Sequence, residues 1–189
     1  MHSNILIVRH ILLFLLLVIT VYTDLARGKI YNWATLPAIG LGVGVNFVLG
    51  GVFDGGMTGA NLTSSLLAMA LVALLFGWPY WRGGIAAGDV KFMLAVGALG
   101  GLHRLFTPYA LLYSSLIGAL MAVLVFIWRG ELISGVGRAI RFTFSARRVD
   151  MMEKDNEAGE DHKLITIPYG CAIATGTIIA WYLVELPVD

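Results

Sequence analysis

Apolar stretches of about the length that an α-helix needs to cross a bilayer recur along almost all of this 189-residue chain. A helix requires about 20 mainly apolar residues to span the hydrocarbon core. Six windows come close to that length, namely 5–23, 34–53, 60–80, 86–106, 107–128 and 166–186. The sequence therefore predicts an all-α, polytopic membrane protein with six transmembrane helices, in a single membrane-embedded domain over residues 1–189.

The composition excludes a soluble globular domain and several kinds of site. The chain is 58% hydrophobic and 13% charged, whereas soluble domains are about 45–50% apolar and about 25% charged. A net charge of +1 gives no general attraction for polyanions, so no nucleic-acid partner is expected. Cys171 is the single cysteine and the four histidines are scattered, so no disulfide, no metal and no cofactor is expected.

The distribution of lysine and arginine predicts the orientation, because positively charged loops stay in the cytoplasm. Ten of the thirteen basic residues fall in the connections between helices 1 and 2, between helices 3 and 4, and in the stretch 129–164. The loop 51–60 and the tail 186–189 hold none, and only Arg9 and Arg104 fall on their side. Both termini are therefore predicted to lie outside the cytoplasm.

The segment 132–149 interleaves apolar side chains with four arginines. This pattern predicts a basic amphipathic helix that lies on the anionic inner leaflet of the bilayer. The segment 152–162 that follows is acidic, has no apolar periodicity and is predicted to be a loop.

Glycines are frequent in the second and fourth predicted helices. Gly40, Gly42 and Gly44 lie in one, and Gly97, Gly100 and Gly101 lie in the other. Small residues allow helix backbones to approach closely in lipid. Close packing of these helices is the favoured interpretation, and a substrate path is the alternative.

Two of the twelve acidic residues stand apart from the rest. Seven lie in the stretch 129–164, which is predicted to be cytoplasmic, and three more lie in the outer loop and tail. The remaining two are Asp24, at the end of helix 1, and Asp89, in the first turn of helix 4. The predicted topology brings both chain segments to the cytoplasmic edge of the membrane, so the two carboxylates are expected at one depth.

Each carboxylate taken singly has a plain explanation. Asp24 could be a solvated residue at a helix end near Arg27, and Asp89 could be an acidic residue favoured by the helix dipole. Taken together, at matching depth, they favour a paired site. Two carboxylates held close share one proton, so one can take a proton from water while the other protonates the oxygen of a peptide bond. This is the chemistry of an aspartic peptidase.

Three segments carry a resemblance to a known family. They are Asp24 with Arg27, Ile30 and Asn32; then Ala87-Gly88-Asp89-Val90-Lys91; then Ile167-Pro168-Tyr169-Gly170 with Ala172-Ile173-Ala174 and Gly176. In this order, and with this number of helices, the chain resembles the type IV prepilin leader peptidases. The resemblance is closest to the short form that serves Flp/Tad-type pili, and it covers most of the chain.

The resemblance implies a membrane-embedded aspartic peptidase of the Gly-x-Gly-Asp class in the bacterial inner membrane. The family removes short basic leaders from pilin and pseudopilin precursors on the cytoplasmic side and cuts after a glycine. Asp24 and Asp89 match its two catalytic aspartates. The residues expected to bind substrate or shape the site are Gly88, Pro168, Tyr169 and Gly170.

Two departures from the family pattern bear on activity. Ala86 stands where the family has its first glycine, and alanine would be strained there if the position required a positive φ. The larger, bifunctional members carry a cytoplasmic insertion with paired cysteines and also methylate the new N-terminus. The connection between helices 1 and 2 is short and has no cysteine here, so the resemblance implies a peptidase without methyltransferase activity.

Two further interpretations compete with a peptidase. Asp24 and Asp89 could relay protons in a small proton-coupled transporter, since acids within a membrane often mark proton paths. Against this, no acid, histidine or lysine marks the middle of the predicted spans. Alternatively, Ala86 could disable the site and leave a non-catalytic pilus assembly factor.

Overall fold

A computed structural model describes residues 2–53, 59–82, 85–128 and 169–185 of the chain. All regular secondary structure in these residues is helical, which confirms the prediction of an all-α fold there. The elements are α1 (His2–Arg27), α2 (Asn32–Gly50), α3 (Leu62–Trp81), α4 (Ala87–Gly100), a short 3₁₀ helix (His103–Leu105), α5 (Phe106–Trp128) and α6 (Tyr169–Glu185). The predicted amphipathic helix 132–149 and the predicted loop 152–162 lie outside the described residues.

Three of the described segments are long and apolar enough to cross a membrane. They are Ile7–Arg27 in α1, Leu62–Trp81 in α3, and His103–Val125, which joins the 3₁₀ helix to most of α5. The apolar segment Tyr169–Val184 of α6 is shorter. These helices identify a membrane protein, whereas six transmembrane helices remain a prediction.

Helix α4 lies at the centre of the bundle and contacts each of the other five α-helices. A helix that is apolar on all sides is normally buried on all sides. This holds for α4 from Phe92 onward, where nearly every residue is buried. The buried residues are Phe92, Met93, Ala95, Val96, Gly97, Ala98, Leu99 and Gly100.

Glycine allows α2 to approach α4 at a distance that no side chain would permit. A Cβ atom on Gly42 would lie 2.8 Å from the backbone of Ala98 and Leu99. A Cβ atom on Gly40 or Gly44 would meet open space. The predicted close packing is thus confirmed at Gly42, while these two neighbours face away from the described residues.

The predicted end of the fourth helix was wrong. The predicted window runs to residue 106, but α4 ends at Gly100 and Gly101 follows with φ of +63°. Arg104 and Leu105 also have positive φ values, of 44° and 62°, which non-glycine residues rarely adopt. The chain therefore leaves α4 through a tight, irregular connection before α5 begins at Phe106.

The carbonyl groups at the C-terminal end of α4 accept hydrogen bonds from side chains of other helices. The last carbonyls of a helix have no partner within it, and in lipid each one must be satisfied by protein. Asn46 Nδ2 in α2 donates to Ala98 O over 3.0 Å, and Ser65 Oγ in α3 donates to the same oxygen over 2.9 Å. Thr107 Oγ1 in α5 donates to Gly101 O.

Arg9 completes this set of donors, which we call the α4 cap (Arg9, Asn46, Ser65 and Thr107). Its Nε donates to Leu99 O over 2.8 Å and its Nη2 donates to Gly100 O. The Arg9 side chain is only 5% exposed. Arg9 thus has partners within the protein, although it falls where the charge pattern predicts few basic residues.

Candidate active site

Asp24 lies in the last turn of α1, and its side chain is only 7% exposed. Gly28 ends this helix with φ of 61°, and its N–H donates to Asp24 O over 2.8 Å. A glycine in this left-handed conformation is a common helix terminator. The helix thereby ends one turn after Asp24, so the carboxylate lies at one end of the bundle.

The start of α6 faces the Asp24 carboxylate. The backbone N–H groups of Gly170 and Cys171 donate hydrogen bonds to it. A Cβ atom on Gly170 would lie 2.6 Å from Asp24 Oδ2, so glycine is required for this approach. Within the described residues, Oδ2 has no hydrogen-bond partner. One oxygen atom of a buried carboxylate is thus left available.

Asp89 lies in the first turn of α4 and is half-buried. Its carboxylate accepts a hydrogen bond from the backbone N–H of Ala86, the residue that caps this helix. It is also close enough to Asp24 for the two carboxylates to repel each other. The structure therefore brings together the two acidic residues that the sequence singled out, which lie 65 positions apart.

Tyr169 opens α6 beside this pair of carboxylates. Its hydroxyl group hydrogen-bonds with the Ser115 side chain of α5 and interacts electrostatically with Asp89. Its ring packs against Gly118, where any side chain would collide with it. Tyr169 and Gly170 thus lie at the site as the sequence predicted, while Pro168 lies outside the described residues.

Gly88 packs against the connection between α1 and α2. A Cβ atom on Gly88 would lie 3.1 Å from Ile30 Cβ, which is a close contact. Gly88 lies inside α4, and its φ is not among the positive values of the described glycines. Its role in the structure is close packing against Ile30 beside the two carboxylates.

Ala86 takes an ordinary extended conformation at the start of α4. Its φ is −72° and its ψ is 147°, values that any L-residue adopts. The alanine that replaces the first glycine of the family pattern is therefore not strained. The position does not require the positive φ that would have strained an alanine.

Several neighbours of the two aspartates were not identified from the sequence. Cys171 lies close enough to Asp24 for an electrostatic interaction, and Ser115 holds Tyr169. Lys91, two residues after Asp89, donates from its Nζ to Asn32 Oδ1 over 2.9 Å. Of these residues, only Cys171 could have been found from the sequence, because it directly follows the Pro-Tyr-Gly segment that was predicted to shape the site.

The chemistry available at this site is that of a pair of carboxylates. In the described part of the chain, no three His, Cys, Asp or Glu side chains lie close enough to hold a metal ion. Two adjacent carboxylates that share one proton can act as a general acid and a general base on the same substrate. The buried position of Asp24 strengthens its hydrogen bonds, because water does not compete for them.

Comparison with known proteins identifies the family. The family model described as the type IV leader peptidase family matches residues 11–123. This range is more than half of the chain and includes both Asp24 and Asp89, whereas α6 lies beyond it. No curated protein and no solved structure matches the chain significantly. The chain therefore belongs to the type IV leader peptidase family.

Proposed function

We propose that this membrane peptidase is an aspartic endopeptidase that removes the short basic leader from Flp-type pilin and pseudopilin precursors. It acts at the cytoplasmic face of the bacterial inner membrane and cuts after a glycine. The observation that carries the proposal is the approach of Asp24 and Asp89, from α1 and α4, at the end of the bundle where α6 begins. Family membership supports the peptidase activity.

Peptide hydrolysis at this pair of residues needs no other reacting group than water. One carboxylate takes a proton from the water molecule while its oxygen bonds to the carbonyl carbon of the scissile peptide. The other carboxyl group gives its proton to the carbonyl oxygen. Collapse of this intermediate breaks the C–N bond, and the nitrogen leaves with a proton from the first carboxyl group, while the second carboxylate takes back a proton from a hydroxyl group of the intermediate.

The fold supports a chain that crosses the membrane six times as one domain, residues 1–189. The end of α1 and the starts of α4 and α6 meet at the same site. Two helices separate each of these points from the next one along the chain. If each helix crosses the membrane once, all three points lie on the same side. Helix α4 has 14 residues and rises about 21 Å, so its ends lie within the edges of a typical bilayer. The charge pattern supports a cytoplasmic location for the site and an outer location for both termini.

The short connection between α1 and α2 supports peptidase activity without N-terminal methylation. It runs from Gly28 to Tyr31 and contains no cysteine. The larger members of the family place their cysteine-bearing insertion at this point. The proposed product is therefore a mature pilin with an unmodified N-terminal amine.

Co-expression with small pilin precursors tests this function. The wild-type enzyme should convert a precursor to a faster-migrating form, and Asp24→Asn or Asp89→Asn should abolish the conversion while the protein still inserts in the membrane. The two losses should be of similar size and the double variant little worse, because the residues act as one unit.

The Asp24→Glu and Asp89→Glu variants provide a stricter control. They keep the charge but move the carboxyl group by about a bond length, and a misplacement near 1 Å can cost about a hundredfold in rate. Appreciable cleavage by either asparagine variant would refute the aspartic mechanism. Loss of proton-coupled transport without any effect on precursor processing would favour a transporter instead.

A further inference from the structure

The first turn of α4, which carries Asp89, is held only weakly by its own backbone. Ala86 caps the helix, and alanine has no side-chain oxygen to offer to the free N–H groups of this turn. The N–H groups of Asp89 and Val90 both donate to Ala86 O, over 3.2 and 3.4 Å, at or beyond the long end of the usual range. The position of this turn therefore depends on contacts with other parts of the chain.

The chain that joins α1 to α2 supplies two such contacts. Lys91 Nζ donates to Oδ1 of Asn32, the first residue of α2, over 2.9 Å. Gly88 packs against Ile30 so closely that a Cβ atom on Gly88 would lie 3.1 Å from Ile30 Cβ. The two contacts fall on either side of Asp89 in the chain, so both act on the turn that carries it.

Helix geometry allows these contacts to control where Asp89 points. Residues three apart share a face of a helix, so Gly88 and Lys91 lie on the same face of α4. The residue after Gly88 points about 100° away around the helix axis. Two contacts on one face resist rotation of the helix, and Asp89 is thereby kept directed away from that face, where its carboxylate lies near Asp24.

Asp24 is tied to the same connection from its other end. The N–H of Gly28 donates to Asp24 O over 2.8 Å, so the connection begins one turn after this aspartate. Arg27 Nη1 donates to the Tyr31 hydroxyl over 3.3 Å, and the guanidinium carbon lies 5.8 Å from the centre of the Tyr31 ring. These contacts join the end of α1 to the residue before α2. The connection thus holds the chain segments of both aspartates.

We propose that Asn32 and Lys91 are positioning residues for the reaction: their hydrogen bond, together with the packing of Gly88 on Ile30, fixes the first turn of α4 and so the placement of Asp89 relative to Asp24. This inference rests on the proposed function. The bond acts through Asp89 and requires no contact of its own with the substrate. Because it is exposed, water competes for both partners, and its effect is on local order rather than on the stability of the whole protein.

Hydrogen–deuterium exchange of the purified full-length protein tests the anchoring of α4 without reference to activity. Lys91→Met removes the donor and Asn32→Leu removes the acceptor, and both keep a side chain of similar size. In each variant the amide groups of residues 87–91 should exchange about fivefold faster than in the wild type, as expected for the loss of one hydrogen bond. The denaturant midpoint of the whole protein should stay unchanged.

Lys29→Met is the matched control for this measurement. It removes an exposed lysine from the same connection, so it makes the same change of charge and leaves the bond between Asn32 and Lys91 in place. Exchange of residues 87–91 should keep its wild-type rate in this variant. Wild-type exchange in Lys91→Met or in Asn32→Leu, or equally fast exchange in Lys29→Met, would overturn the proposal.

Cleavage kinetics show whether this anchoring serves catalysis. In Lys91→Met and in Asn32→Leu, kcat for a pilin precursor should fall about tenfold, because a small misplacement of a reacting group costs rate, and KM should stay unchanged. The double variant should lose no more than either single variant, since both residues act through one bond. Lys91→Arg keeps an N–H donor and should restore most of kcat. A change in KM alone, or losses that add in the double variant, would refute the positioning role.

The two measurements separate this inference from the proposed function. A wild-type protein that cleaves no pilin precursor would refute the proposed function on that substrate, and faster exchange in the variants would still support the anchoring of the turn that carries Asp89. Cleavage by the wild type together with an unchanged kcat in Lys91→Met would support the function and refute the positioning role.

Discussion

Gly170 has no side chain, and this allows the start of α6 to lie directly against the Asp24 carboxylate. A methyl group there would lie 2.6 Å from Asp24 Oδ2, so either the carboxylate or the start of α6 must move. Gly170→Ala should therefore lower kcat about a hundredfold, as displacements near 1 Å can do, while the protein remains folded. Gly40→Ala is the matched control, because a side chain at Gly40 meets open space.

Cleavage of a pilin precursor by the purified variants, normalised to folded protein, measures this effect. Wild-type rates in Gly170→Ala would mean that the contact between α6 and Asp24 has no importance for catalysis. A comparable loss in Gly40→Ala would show that the assay responds to any added methyl group in the helices.

Substitutions at Gly88 and at Ala86, both just before Asp89, should differ in their effect on cleavage. Gly88→Val should impair cleavage strongly, because its branched side chain must displace Ile30, which already lies 3.1 Å from the position of a Cβ atom. Ala86→Gly should be close to neutral, since Ala86 has a relaxed φ of −72°. Activity per folded molecule distinguishes the effects: an unchanged value in Gly88→Val would restrict this glycine to a role in stability.

Helix α4 depends on its neighbours for polar contacts at its C-terminal end. Asn46 is 1% exposed and donates to Ser65 Oγ over 2.7 Å as well as to Ala98 O. Asn46→Ala should lower the free energy of unfolding in detergent by about 1–2 kcal/mol, the range of buried hydrogen bonds between membrane helices. Thr175→Ala, at an exposed residue that bonds only within α6, should change it by less than about 0.5 kcal/mol.

Equal destabilisation by the two alanine substitutions would contradict the importance of the α4 cap. Denaturant titration of the purified variants, followed by loss of helical signal, gives the comparison. Precursor cleavage, measured on the folded fraction of each variant, would also show whether the α4 cap affects the site at the opposite end of α4.

The elements that could be predicted from the sequence are those whose signal is local. Apolar length predicted the helices, and the start of α4 near 86 agrees with the structure. The end of α4 was missed because the window was extended through Gly100 and Gly101 and past His103 and Arg104 to Phe106. The free carbonyl groups at this end accept hydrogen bonds from Arg9, Asn46 and other distant side chains, and periodicity contains no information on such partners.

For the whole molecule, the proposed topology predicts the location of each connection. Reporter fusions at residues 30, 83 and 155 should read cytoplasmic, and fusions at 56, 103 and 189 should read outside. The reason is the concentration of lysine and arginine on one side. A cytoplasmic reading at 189 would mean an odd number of crossings, which is incompatible with a six-helix arrangement.

The candidate site itself was accessible to sequence reasoning only in part. Asp24 and Asp89 could be singled out because acids are costly within membrane helices and because the helix order brings them to one depth. The contact of Gly170 with Asp24 could not be derived, since it depends on how α6 packs against α1. The Tyr169–Ser115 hydrogen bond could not be derived for the same reason, since it depends on how α6 packs against α5.

The α4 cap also bears on the order in which the nascent chain is completed in the bilayer. Three of its donors, Arg9, Asn46 and Ser65, are translated before α4, and Thr107 is translated after it. When α4 leaves the ribosome, the residues that donate to its last carbonyl oxygens, apart from Thr107, have therefore already been synthesised. Helix α6 is translated last of the described helices, and it carries the N–H groups that face Asp24. A chain synthesised only through α5 thus holds both aspartates but lacks the helix end that faces Asp24, so the candidate site is incomplete until α6 has been translated.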